Sequence, residues 1–245
     1  MTELHLAAAY GGPEICTRIL EGGASVDLFE AEYGTPLCAA SAVGNARNVE
    51  LLITSGANVE AEDKEGSTAI FYAAAFGRLD VIHCLLDHGA NIEHENQRGC
   101  TVLNEVSASE STAAAEALLE RNANANHLSA DGSTPLHNAV KGQNPNMIRL
   151  LLKHGARVGI EGPHGWCPLH AAVASGNLST IELLCAEGAQ IDALDDLRFS
   201  PLFHAVLTTT WTLPDSSSIR VPGPLSAEEQ YSTLLHTKAF HHYYD

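Results

Sequence analysis

Histidine is the side chain most often recruited as a general base, and this chain has 13 of them. Three share a pattern: His5, His137 and His170 stand three residues after Thr2, Thr134 and Cys167. His83, His88 and His94 are close in sequence, but His83 and His88 are five apart on one expected helix. Two ligands on one helix face call for a spacing of four. His236, His241 and His242 read as a solvated polar end. The acidic pairs Glu62-Asp63 and Asp195-Asp196 read as solvated turn residues, because nothing nearby suggests the burial that tunes a general acid. No glycine-rich phosphate loop follows a strand, and no nucleophile elbow is present. The six cysteines, Cys16, Cys38, Cys84, Cys100, Cys167 and Cys185, include no Cys-x-x-Cys pair. No catalytic constellation emerges, so the chain is expected to be no enzyme and to hold neither metal nor cofactor.

What positions the three histidines is a repeat. In Gly132-Ser133-Thr134-Pro135-Leu136-His137-Asn138-Ala139, a glycine that tolerates positive φ precedes a threonine suited to cap a helix. Pro135 fits the first helical position, where its missing N–H costs nothing. The cap position recurs as Thr2, Thr35, Thr68, Thr101, Thr134, Cys167 and Ser200, each 33 residues beyond the last. Two residues on, every copy is apolar: Leu4, Leu37, Ile70, Leu103, Leu136, Leu169, Leu202. A period of this size means stacked supersecondary units, each unable to bury its apolar face alone.

Thr134-Pro135-Leu136-His137, Cys167-Pro168-Leu169-His170-Ala171-Ala172 and Thr35-Pro36-Leu37 give the chain its resemblance to ankyrin repeats. Gly56-Ala57-Asn58-Val59 and Gly89-Ala90-Asn91-Ile92 add to it. The resemblance covers roughly residues 1–206. It implies an all-α solenoid of helix-turn-helix units with hairpin loops, six complete and a partial seventh. It also implies that the histidine of each motif hydrogen-bonds locally and ties neighbouring turns together. The replacements Cys38, Phe71, Asn104 and Phe203 agree that this position follows repeat packing.

Along the chain, Ile15, Ile19 and Leu20 are expected on the buried stripe of the first unit's second helix. Cys185 stands where other copies carry Leu or Ile. Unit four departs furthest from the pattern, with Asn104 and Val106 in its first helix, Glu110 where other copies have Gly, and Asn122 for the terminating Gly. It is expected to be the weak point of the stack. The loop Gly159-Ile160-Glu161-Gly162-Pro163 lacks an acidic tip. After Val206 no second helix is expected, and residues 207–245 read as a flexible tail with one short helix from Ser226.

The formal charge is −17, from 13 basic and 30 acidic residues. This opposes nonspecific binding to nucleic acid and to anionic membranes. The cysteine usage suits the cytoplasm or nucleus. What remains is a binding face. The resemblance implies a concave groove of hairpin tips and first-helix surfaces, which here gives Glu32, Lys64, Glu65, Phe76, Gln97, Arg98, Asp131, Lys141, His164, Trp166 and Phe199. The acidic tips Glu60, Glu62, Asp63, Glu65, Glu93 and Glu95 are expected to steer a basic partner toward the N-terminal half. Trp166 and Phe199 are expected about 10 Å apart in consecutive units, as exposed aromatic contacts. The reading is a monomeric adaptor or scaffold for a protein partner. The alternative is a regulatory fragment of a larger signalling protein or enzyme.

Overall fold

The 33-residue period becomes a stack of helix pairs. A computed structural model describes residues 1–31 and 33–212. Glu32 and residues 213–245, including the three terminal histidines and the helix expected from Ser226, lie outside the described residues. In chain order the pairs are α1 (Glu3–Tyr10) and α2 (Pro13–Glu21), α3 (Pro36–Val43) and α4 (Ala46–Thr54), α5 (Ala69–Ala75) and α6 (Leu79–Asp87). They continue with α7 (Val102–Val106) and α8 (Ala113–Glu120), α9 (Pro135–Lys141) and α10 (Pro145–Lys153), α11 (Pro168–Ala174) and α12 (Leu178–Ala186). A last helix, α13, spans Pro201–Thr212. Among the described residues there is no strand, and no helix is long and apolar enough to cross a membrane.

Each first helix begins where its cap residue stands. The backbone of Thr2, Thr35, Thr68, Thr101, Thr134 and Cys167 is extended just before the helix. The Thr35, Thr101 and Thr134 hydroxyls accept from the N–H three residues on, which satisfies one orphan donor of the first turn. First helices pack on first helices in the order α1, α3, α5, α7, α9, α11, and each also packs on its own second helix. This places Leu4, Leu37, Ile70, Leu103, Leu136 and Leu169 in one continuous core with Val49, Ile82 and Ile148. A leucine so buried contributes about 1.5–3 kcal/mol relative to an exposed one.

The two ends of the stack depart from the repeat. Ile15 is not on the buried stripe: it is 52% exposed, and Cys16 beside it is sealed instead. The equivalents of Ile15 in later units, Asn48, Val81, Ala114, Met147 and Thr180, are buried. The seal at that position therefore comes from the preceding unit, and no described unit stands before the first. Cys185 is exposed for the mirror-image reason: no further second helix among the described residues packs over α12. Leu202 is 69% exposed although its six equivalents are buried. The last helix also runs on through Thr212, six residues past the end of the repeat pattern at Val206.

Unit four departs from the others in a narrower way than its sequence suggests. Its first helix has only five residues. Asn122 takes the left-handed conformation, φ 65°, that its role as a glycine substitute demands. The loop before Trp166 closes as a short 3₁₀ turn over Pro163–Gly165.

Candidate functional site

The histidines of the repeat motif hold the stack together, as the resemblance implies. In His137, Nδ1 accepts from the Thr134 N–H at 3.2 Å, so the proton sits on Nε2, which donates to the Trp166 carbonyl at 2.9 Å. His170 repeats this with the Cys167 N–H at 3.2 Å and the Phe199 carbonyl at 3.2 Å. His5 donates through Nε2 to the Gly34 carbonyl at 3.1 Å. In each case the acceptor lies 29 residues on, in the turn entering the next unit. Burial lowers the pKa of His137 below the ordinary histidine value, against the opposing effects of the Trp166 carbonyl and Asp131. With both ring nitrogens engaged and the ring buried, it serves as a neutral strut, not as a base.

Where the histidine is missing, unit four remakes the tie. Asn104 accepts from the Thr101 N–H at 3.1 Å and donates to the Ser133 carbonyl at 3.3 Å, the same two jobs in one amide. Phe71 can do neither and packs edge-on against His94, ring centroids 6.2 Å apart. His94 Nε2 then donates to the Gly66 carbonyl at 2.9 Å, and His127 does the same to Gly99 at 2.9 Å. Cys167 shows the chemistry of its cap position. Burial raises a thiol's pKa, yet the His170 ring, 3.1 Å from Sγ, brings it below the usual thiol value.

The hairpins carry a second set of ties that the sequence reading missed. The Asn58 N–H donates to Asp27 at 3.0 Å, Asn91 to Glu60 at 2.8 Å, Asn124 to Glu93 at 2.7 Å and Arg157 to Asn126 at 2.8 Å. The acceptors at 27, 60, 93 and 126 also recur every 33 residues, and that recurrence was the available signal. At the tips, Gln97 N–H donates to the Glu65 carbonyl at 2.9 Å, Ala130 to Arg98 at 3.0 Å and Asp196 to His164 at 3.1 Å. The equivalent donor between the last two pairs is Pro163, which has no N–H. Gly66 must be glycine in this arrangement: its φ is 76°, and a Cβ would stand 2.9 Å from the Gln97 nitrogen.

These ties change the account of the acidic tips. Glu60 and Glu93 are half-buried latches between hairpins. Asp63 accepts from the Glu65 and Ser67 N–H groups and from the Tyr72 hydroxyl at 2.7 Å. Burial and this carboxylate push the Tyr72 phenol pKa up. Asp195, expected to be solvated, is 3% exposed and accepts from Leu197 N–H, Phe199 N–H and His204 Nε2, the last at 2.9 Å. Backbone donors of its own turn make that burial tolerable. His170, Asp195 and His204 bring ligand-type atoms within 4.8 Å of one another. A metal there would have to take His170 Nε2 from the Phe199 carbonyl, so the cluster serves the stack.

Of the expected contact residues, Lys64, Glu65, Phe76, Gln97, Arg98, Asp131, Lys141 and His164 are exposed. Arg98 is paired with Glu105. Burial would raise the pKa of Asp131, but hydrogen bonds from Ser129 and Ser133 hold the carboxyl below its usual range. Trp166 and Phe199 are not the open aromatic contacts expected of them. Both are half-buried, with His204 between their rings: centroid distances are 5.1 Å to Trp166 and 6.0 Å to Phe199. Trp166 also stacks on His170 at 6.1 Å, and Phe199 on Phe203 at 4.4 Å. His204 is invisible to the motif because it lies one residue past the histidine position.

The family model for ankyrin repeats (3 copies) matches residues 4–96, 85–161 and 103–195. The solved ankyrin repeat domain of Bcl-3, described as a unique member of the IkappaB protein family, is 30% identical with a TM-score of 0.77. That match covers 84% of this chain and 94% of the Bcl-3 chain. The human ASB11 ankyrin repeat domain is 27% identical with a TM-score of 0.74, over 92% of this chain and all of that one. No curated protein matches the chain in sequence.

Proposed function

We propose a function from one premise: the chain belongs to the ankyrin-repeat family. Ankyrin repeats are generally protein–protein interaction modules. On that basis the chain acts as a non-catalytic adaptor or scaffold. It binds a protein partner on the hairpin tips and on the side of the first helices that the stack leaves open.

The observation that carries this reading is a division of labour within the period. Histidines, asparagines and two of the six acidic tips, Glu60 and Glu93, are consumed in holding units together, whereas Lys64, Glu65, Gln97, Arg98, Asp131 and His164 stay exposed at matching places along the hairpin edge and Lys141 is exposed at the end of α9. The backbone under them is fixed by the tip-to-tip hydrogen bonds, so little ordering entropy is lost when a partner docks. Among the acidic tips, Glu62, Glu65 and Glu95 remain on the surface and favour a basic partner.

Crosslinking capture from source-cell lysate tests the reading, with the native chain run beside Glu62→Lys/Glu65→Lys/Glu95→Lys. The expected result is a partner captured by the native chain and lost from the variant. Identical capture by both would remove the hairpin edge from recognition.

A further inference from the structure

One position on the first-helix surface carries exposed apolar residues in three consecutive units. Eight residues past the cap stand Tyr10, Val43 and Phe76 in the first three units, but Ser109, Gly142 and Ser175 in the next three. Tyr10 is 75% exposed, Val43 36% and Phe76 57%. Because α1 packs on α3 and α3 on α5, these side chains recur at the spacing of packed helices, about 10 Å. Single exposed apolar residues are ordinary, whereas an aligned set marks an interaction surface. One helical turn before Phe76, Tyr72 reaches Asp63 on the hairpin. The stripe is thus connected to the edge on which Glu62 and Glu65 are exposed.

We propose that this stripe seats an amphipathic α-helix of a protein partner, lying along the stack, with apolar side chains every seven residues and a lysine- or arginine-rich flank toward the hairpin tips. The proposal rests on the recognition reading above and names the class of partner. Seven residues of α-helix rise about 10.5 Å, which matches the step between first helices. An extended strand does not fit: its same-face residues recur at about 6.6 Å and about 13 Å. The basic flank follows from the charge of the edge beside the stripe, where opposite charge fixes orientation and speeds encounter.

The test uses three synthetic helical peptides and the full chain, with binding read by fluorescence anisotropy. One carries leucines in heptad register with a lysine flank. The second has the same composition with the register scrambled, and the third has glutamate for lysine. The heptad lysine peptide is expected to bind at least tenfold more tightly than either control. Phe76→Ser or Tyr10→Ser should erase that advantage with the thermal midpoint unchanged, and Ser175→Ala should leave it intact. Equal affinity for the heptad and scrambled peptides, or heptad binding indifferent to both serine variants, overturns the proposal. If both lysine peptides bind equally and both are lost on Glu62→Lys/Glu65→Lys, the helix register fails while the recognition edge stands. Failure of every peptide to bind also overturns it, and the recognition reading is then decided by lysate capture, which uses none of these probes.

Discussion

Three residues past the cap, units four to six carry Asn104, His137 and His170, each hydrogen-bonded across to the next unit. Unit one carries His5, tied in the same way to Gly34, whereas units two and three carry Cys38 and Phe71 there, and the tie near Phe71 comes from His94 on the following hairpin. Eight residues past the cap the contrast reverses: Val43 and Phe76 are open apolar side chains, while Ser109, Gly142 and Ser175 offer little to a partner. The two halves share their buried leucines and differ on the surface. The difference teaches that the strictly repeated residues build the scaffold, and that residues which break the repeat carry what is particular to this chain.

The shared core gives the largest effect. Leu37→Ala and Leu136→Ala, one in each half and both fully buried, should each cost about 2–5 kcal/mol. Leu202→Ala, at the same place in the open last unit, should stay within about 0.5 kcal/mol. Urea unfolding measures all three, and a negligible cost at Leu37 would break the claim that both halves share one scaffold.

Next comes the tie. His137→Ala leaves the Thr134 and Trp166 groups without their partner and should cost about 1–3 kcal/mol. His137→Asn should recover most of this, because Asn104 already performs both bonds one unit earlier. If asparagine is no better than alanine in the same unfolding series, the equivalence of the two residues fails.

The pH dependence sharpens the same point. The folded-state pKa of His137 lies below the ordinary value of 6.5 because its ring is buried. As pH falls through 6.5 the unfolded chain takes up the proton first, so the contribution of His137 is complete above that value and declines below it toward the folded pKa. Thermal midpoints of the native chain should therefore fall faster between pH 7 and pH 5 than those of His137→Asn. Parallel curves would mean that the ring is accessible to protonation in the stack.

The period, the helix caps and the six buried Leu or Ile positions were legible in the sequence, because each depends on residues within one unit or one period away, and the role of the histidines followed from the resemblance to ankyrin repeats. The exposure of Ile15 and Cys185 was not legible, since burial at those positions is supplied by a neighbouring unit rather than by their own helix. Asp195 read as a surface carboxylate although its place recurs: Asp63 and Asn96 also accept from the N–H groups two and four residues on and bond the side chain nine residues on, and the change of residue type hid the pattern. Trp166 and Phe199 read as open contacts because the ring between them lies one residue past the histidine position of the motif. The hairpin latches Asp27, Glu60, Glu93 and Asn126 differ in residue type while sharing one hydrogen bond, so a search for identical residues passes over them.

The smallest effect on stability is expected on the open face. Tyr10→Ser and Phe76→Ser should change unfolding free energy by no more than about 0.5 kcal/mol, and a larger loss would assign these side chains to the scaffold.

Whether the first three units face a partner and the next three do not is tested most directly with a photo-crosslinking amino acid placed at position 76 or at position 175 of the full chain, irradiated in source cells. Both positions are exposed and eight residues past their caps, so they compare the two halves at one place in the repeat. The account predicts a partner adduct at position 76 and none at 175. Adducts at 175 alone, or at neither position, would contradict it.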